Sequence, residues 1–117
     1  MTPRQFHAVV MAFPEVEEGA SYGMASYKAF GKFLTRLRSE DASCVLGCVD
    51  FDEREMLCAA DPATFHFTDH YKSYPYVLTR IAKLDTKTLR GYLMRQWRKN
   101  APKRWLKAWN AEQGDTA

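Results

Sequence analysis

Residues 24–50 read MASYKAFGKFLTRLRSEDASCVLGCVD, and the period of this stretch decides the fold. MASYKAF (24–30) and KFLTRLR (32–38) flank Gly31, and their alternation of apolar and polar side chains predicts two strands of a hairpin. In the second strand, strict alternation places Phe33, Thr35 and Leu37 on one face and Leu34, Arg36 and Arg38 on the other. Ser39 to Ser43 is a polar turn, and CVLGCVD (44–50) is a third strand.

Outward from this core the period becomes helical. Thr2-Pro3-Arg4-Gln5 has the form of a helix start, with Thr2 as N-cap, proline at the first helical position and Gln5 three residues after the cap. Phe6, Val9, Val10 and Phe13 follow at i, i+3, i+4, i+7, and Pro14 ends the helix. Glu15 to Tyr22 is expected to be an acidic loop. Downstream, Asp52 is expected to cap a short helix through Ala60, with Glu55 completing a capping box and Leu57 and Cys58 facing inward. Asp61-Pro62 breaks that helix. Phe65-His66-Phe67 reads as a short strand and Tyr76–Leu84 as a longer one. Asp85 to Thr88 supplies another N-cap for a long helix whose buried face is Leu89, Tyr92, Leu93, Gln96 and Trp97. Pro102 stops it, and KRWLKAW (103–109) forms a last helix. The order predicts an α+β fold, an antiparallel β-sheet with helices packed on one face. A single domain is expected over residues 1–112, with 113–117 as a disordered tail.

At 117 residues, 46% hydrophobic and 14% aromatic, the chain has enough apolar material for one packed core. Its apolar runs are too short to span a membrane, and the N-terminal stretch lacks a signal peptide's layout, so a cytoplasmic location is expected. Cys44 and Cys48, four apart on one strand face, lie roughly 13 Å from each other, too far to bridge. With Cys58 they make an odd count without a CxxC pair, which argues for free thiols. The net charge of +3 conceals a division. Residues 1–69 hold 6 Lys/Arg against 11 Asp/Glu, and residues 70–117 hold 11 against 3. Such asymmetry marks a surface for anionic partners.

His66 and His70 have the spacing of two metal ligands on a helix, but their Thr, Phe and Tyr neighbours make a poor helix. In a strand the two are too far apart to chelate one ion, so no metal site is expected. Asp69-His70 lacks a nucleophile in a recognisable turn, and no catalytic residue is expected. Glu15 to Glu18 and the Asp50, Asp52, Glu53, Glu55 group match no calcium loop; helix capping and solvation explain them. No glycine pattern cradles a phosphate, and no cofactor is expected. The basic C-terminal third is the strongest feature: Arg95, Arg98 and Lys99 share a helix face, and Lys103, Arg104 and Lys107 repeat the spacing beyond Pro102. Trp97, Trp105 and Trp109 are read as core residues rather than stacking platforms.

These residues resemble the MmcQ/YjbR family along nearly the whole chain, from about Thr2 to Trp109. The resemblance is carried by Phe13-Pro14-Glu15-Val16-Glu17-Glu18, Lys28-Ala29-Phe30-Gly31-Lys32-Phe33, Phe51-Asp52-Glu53-Arg54-Glu55 and Asp61-Pro62 with Phe65. It continues through Asp69-His70-Tyr71, Tyr74-Pro75, Trp97-Arg98 and Ala101-Pro102-Lys103. It implies a CyaY/frataxin-like, double-wing fold and a DNA-binding role, without a catalytic set. Frataxin-like iron binding uses an acidic first helix; here Pro3 to Phe13 carries Arg4 and no carboxylate, so that activity is not carried over.

Two readings follow. In the first, a non-enzymatic module binds nucleic acid, DNA by the resemblance, through Arg95, Arg98, Lys99, Lys103, Arg104 and Lys107, with Lys72 and Arg80 as lesser contacts. In the second, a small-ligand or protein partner is held by His70, Tyr71 and Tyr74. The oligomeric state is open, with a monomer favoured.

Overall fold

The computed structural model describes residues 1–21 and 24–112; the tail at 113–117 lies outside the described residues. Among these, six strands form one antiparallel sheet: β1 (Val16–Ser21), β2 (Met24–Ala29), β3 (Lys32–Arg38), β4 (Ser43–Leu46), β5 (Phe65–His66) and β6 (Val77–Arg80). Four helices accompany them: α1 (Pro3–Met11), α2 (Phe51–Ala60), α3 (Thr86–Asn100) and α4 (Lys103–Glu112). The strand order is β1-β2-β3-β4-β6-β5, a four-strand meander extended when β6 returns between β4 and the edge strand β5. This is the expected α+β arrangement. Phe6 and Val10 of α1 and Leu89, Leu93 and Trp97 of α3 pack on one sheet face against Tyr27, Ala29, Leu34, Cys44 and Leu46. Trp105 and Trp109 of α4 close over Trp97, with ring centroids 5.5 and 5.1 Å away.

Local chemistry accounts for most boundaries. Thr2 caps α1 with Gln5 as its capping-box partner, and Asp85 caps α3 through the Thr88 N–H at 2.6 Å. The cap of α2 is Asp50 rather than Asp52: its carboxylate accepts from the Glu53 N–H at 2.8 Å, so the helix begins at Phe51. The β2–β3 turn has positive φ at both Phe30 (56°) and Gly31 (75°), the backbone of a two-residue I′ hairpin. Phe30 holds this conformation with its ring against Trp97 and Trp105.

Four further sequence expectations are corrected. The acidic stretch after Pro14 is strand β1, paired residue for residue with β2; its alternation was masked by Glu17, Glu18 and Gly19. The third strand ends at Leu46, because Gly47 passes so close to α3 that a Cβ there would overlap Gln96 Oε1, and Cys48 then turns with φ 57°. The last strand stops at Arg80, and Ile81–Lys83 is a 3-10 turn whose Ile81 N–H donates to Ala42 O. Strict alternation also fails in β3. A register shift at Tyr27/Lys28 pairs Tyr27 with Thr35 and Lys28 with Phe33, leaving Leu34 as the extra residue of a β-bulge. Leu34 and Leu37 therefore both reach the helix-side core, while Phe33 lies on the opposite face against Val45, Tyr71 and Leu78.

Candidate functional site

The basic residues of the C-terminal third divide by environment. Arg98, Lys99, Lys103, Arg104 and Lys107 are exposed on the last turn of α3 and on α4. No ion pair with a carboxylate holds any of the five among the described residues. Arg98 lies 5.7 Å over the Trp109 ring, which steadies its stem while leaving the guanidinium edge to solvent. Arg95 is different. Its Nη1 donates to both Glu53 oxygens at 2.8 and 3.0 Å, and its guanidinium sits 4.7 Å over Tyr92, so it joins α3 to α2. The Glu53 hydrogen bond holds the Arg95 pKa above its ordinary value, against the effect of burial. Arg80 donates to Pro62 O and Ala63 O at 3.2 Å each, tying down the loop that leads into β5. Lys72 is exposed.

Beneath that surface a polar chain fixes α3 on the sheet. Gln96 Nε2 donates to Asn100 Oδ1 at 2.9 Å, and Asn100 Nδ2 donates to Phe33 O at 2.8 Å and, more weakly, to Lys32 O and Ala29 O. Trp97 Nε1 donates to Pro14 O at 2.9 Å from an otherwise buried ring. All three tryptophans belong to the core, as the sequence reading held.

The segment holding His70, Tyr71 and Tyr74 crosses the sheet face opposite the helices. Tyr71 is buried among Val45 and Leu78, whereas Tyr74 is 53% exposed. The His70 ring meets the Tyr71 ring edge-on at 4.8 Å. What organises this segment is a residue the sequence reading passed over. Arg54, only 6% exposed, donates Nη1 to Tyr71 O (3.1 Å), Tyr74 O (3.0 Å) and Tyr76 O (3.3 Å), and Nη2 to Lys72 O (2.9 Å). Phe67 and Phe51 flank its guanidinium at 4.0 and 4.9 Å. A signal was present: Arg54 occupies the same helical stripe as Leu57 and Cys58, where an arginine is out of place unless its charge is spent on buried acceptors.

A second constellation has no local signal. Asp41, in the β3–β4 turn, meets His66 Nε2 at 3.1 Å and accepts from the Ser43 N–H at 3.2 Å, with Arg38 at 3.8 Å. Burial raises the Asp41 carboxyl, but Arg38, Ser43 and His66 outweigh it and bring the pKa below the usual value. Burial and the nearby Arg80 lower the His66 pKa, against the opposing pull of Asp41. His66 and His70 lie on different elements, and among the described residues no three His, Cys, Asp or Glu side chains converge as a metal site. The three cysteines are free; burial pushes the Cys44 thiol up to about 12. No helix among the described residues is long and apolar enough to cross a membrane.

An antiparallel sheet backed by helices, with a basic helical surface and an aromatic segment on the opposite face, defines a small α+β domain. The YjbR family model matches residues 11–99, and the chain belongs to this family. Arg95, Arg98 and Lys99 fall within that match, whereas Lys103, Arg104 and Lys107 lie beyond it. Uncharacterized proteins of Mycobacterium tuberculosis and Mycobacterium bovis are 33% identical over 84 residues, which cover 69% of this chain. The same alignment spans 65% of the length of those relatives. No solved structure matches at a significant level.

Proposed function

We propose that this chain is a non-enzymatic, cytoplasmic DNA-binding module that meets duplex phosphates through the α3–α4 surface. One observation carries the reading: Arg98, Lys99, Lys103, Arg104 and Lys107 stand exposed on consecutive helical turns, and no carboxylate among the described residues neutralises them. Arg95, of the same charge and only three residues before Arg98, is bound to Glu53, so the reading rests on the other five. Lys and Arg on rigid helices suit phosphate contact, which positions a protein on DNA without reading its sequence. The DNA-binding role implied by the family resemblance points the same way.

Anisotropy titration of a labelled duplex over a range of salt concentrations tests this. Each phosphate contact contributes about 0.9 to the slope of log Kobs against log salt. R98A/K99A/K103A lowers the slope by roughly 2–3 and weakens binding at low salt, with the fold unchanged by circular dichroism. A duplex affinity insensitive to salt, or equal in the triple variant, refutes the reading.

A further inference from the structure

The sheet face opposite the helices carries a row of rings. Phe33 lies 5.5 Å from Tyr76, and Tyr76 lies nearly parallel to Tyr74 at 5.9 Å and 17°. The Arg36 guanidinium sits 5.7 Å from the Phe33 ring centroid. Strand pairing sets Lys28 beside Phe33 and Ser26 beside Arg36. These four, with Glu17 and Glu18, line a cavity of about 430 Å³ over β1, β2 and β3. Arg36 Nε is buried there and has no hydrogen-bond partner among the described residues.

A solvated outer face of an antiparallel sheet is ordinarily polar. This one keeps Phe33 and Tyr76 half-buried and Tyr74 53% exposed, with Arg36 and Lys28 at the Phe33 end of the row. Aromatic faces at a basic surface are the components with which unpaired bases and their phosphates are held. A duplex offers only base edges in its grooves, so a ring row gains nothing from it.

We propose that this face binds single-stranded nucleic acid, with bases stacked on Phe33, Tyr76 and Tyr74 and phosphates on Lys28, Arg36 and Lys72. Each side chain has a counterpart in the ligand. Ring faces take base faces, Arg36 and Lys28 take phosphate oxygens, and the Glu17 carboxylate, on the same face as its partner Lys28, accepts from exocyclic amino groups. The cavity matches the size of small-ligand sites, roughly 300–1,000 Å³. The rings continue beyond it to Tyr74, which favours a strand of several nucleotides over a single one. This surface lies across the sheet from α3 and α4, and the inference stands apart from the duplex reading.

Binding of a fluorescein-labelled oligodeoxycytidine of about ten nucleotides, at near-physiological salt, tests it by anisotropy. Tyr74→Ala and Arg36→Gln, at positions outside the packed core clusters, each weaken binding about fivefold or more, and Phe33→Ala about tenfold or more. R98A/K99A/K103A, which tests the duplex reading, weakens oligodeoxycytidine binding less than Tyr74→Ala does. The proposal is overturned if the wild type does not bind the oligonucleotide, or if Tyr74→Ala or Arg36→Gln binds like wild type. It is also overturned if the helix variant has the larger effect, or if cytidine monophosphate competes as well as the oligonucleotide.

Discussion

Replacing Arg54 tests whether a single guanidinium holds the segment from Tyr71 to Tyr76. Arg54→Met keeps much of the side chain's length and packing but removes every donor. Four carbonyls then lose their partner; the bond to Tyr71 O is buried, and those to Tyr74, Tyr76 and Lys72 are partly so. Water can re-solvate the partly exposed carbonyls, so their bonds count for little. The buried bond, at about 1.5–3 kcal/mol for a charged donor, and the lost stacking on Phe67 and Phe51, at about 0.5–1 kcal/mol, dominate. The sum is about 3 kcal/mol, a large share of the roughly 5–15 kcal/mol that holds a small domain together. At about 2.1 cal/mol/K per residue of unfolding entropy, that lowers Tm by about 12 °C. Arg54→Lys fares little better, with a loss of about 2 kcal/mol, because one ammonium cannot span acceptors on both sides of a planar fork. Urea unfolding followed by far-UV circular dichroism gives the stability change. Hydrogen exchange at residues 67–76 reports whether the segment opens first. Arg54→Met within about 1 kcal/mol of wild type, or Arg54→Lys equal to wild type, refutes the account.

Other outcomes follow from the same geometry. Gly47→Ala forces a methyl onto Gln96 Oε1, which the Asn100 bond prevents from moving aside; a loss of about 1–3 kcal/mol in urea unfolding is expected, and a neutral result refutes the close approach. Asn100→Ala strips the amide from Phe33 O and leaves Gln96 without its partner, for a loss of about 2–3 kcal/mol by the same measurement. The folded state holds His66 with a pKa below its ordinary value, so the unfolded chain binds more protons as pH falls through about 6.5. Stability therefore drops from pH 7.5 toward pH 5.5, and His66→Gln flattens that drop; a slope equal in both proteins refutes the assignment. Asp41, lowered likewise, adds a second loss below about pH 4, where the unfolded carboxyl takes up its proton first.

Periodic elements were legible and their exceptions were not. The capping box at Thr2 and Gln5, the Asp85 cap and the buried stripe of Leu89, Leu93 and Trp97 obey local rules, and each was read correctly. Strand β1 was hidden because Glu17, Glu18 and Gly19 have poor strand propensity, and pairing with β2 overrides it. The early end of β4 depends on how closely Gly47 approaches α3, a distance that no window of sequence contains. The exposed cations of α3 and α4 were visible as charge, but the withdrawal of Arg95 requires Glu53, 42 positions away. Asp41 and His66, 25 positions apart, meet only once β5 and β6 are placed beside the β3–β4 turn.

The bulge at Leu34 makes β3 a sorting device. Were the same residues to alternate strictly, with no bulge, Arg36 and Arg38 would fall on the same side as Leu34, among the helices. With it, both leucines face inward while Phe33 and Arg36 share the outer face. The outer surface thus depends on the bulge as well as on the residue types. Substitutions at Arg36 or Lys28 alter one contact each, whereas deletion of Leu34 removes the bulge and leaves a regularly alternating strand with Phe33 and Arg36 still outward and Leu37 still inward. Homologues that keep this outer face are therefore expected to carry either the bulge with its extra residue or a strand one residue shorter without it.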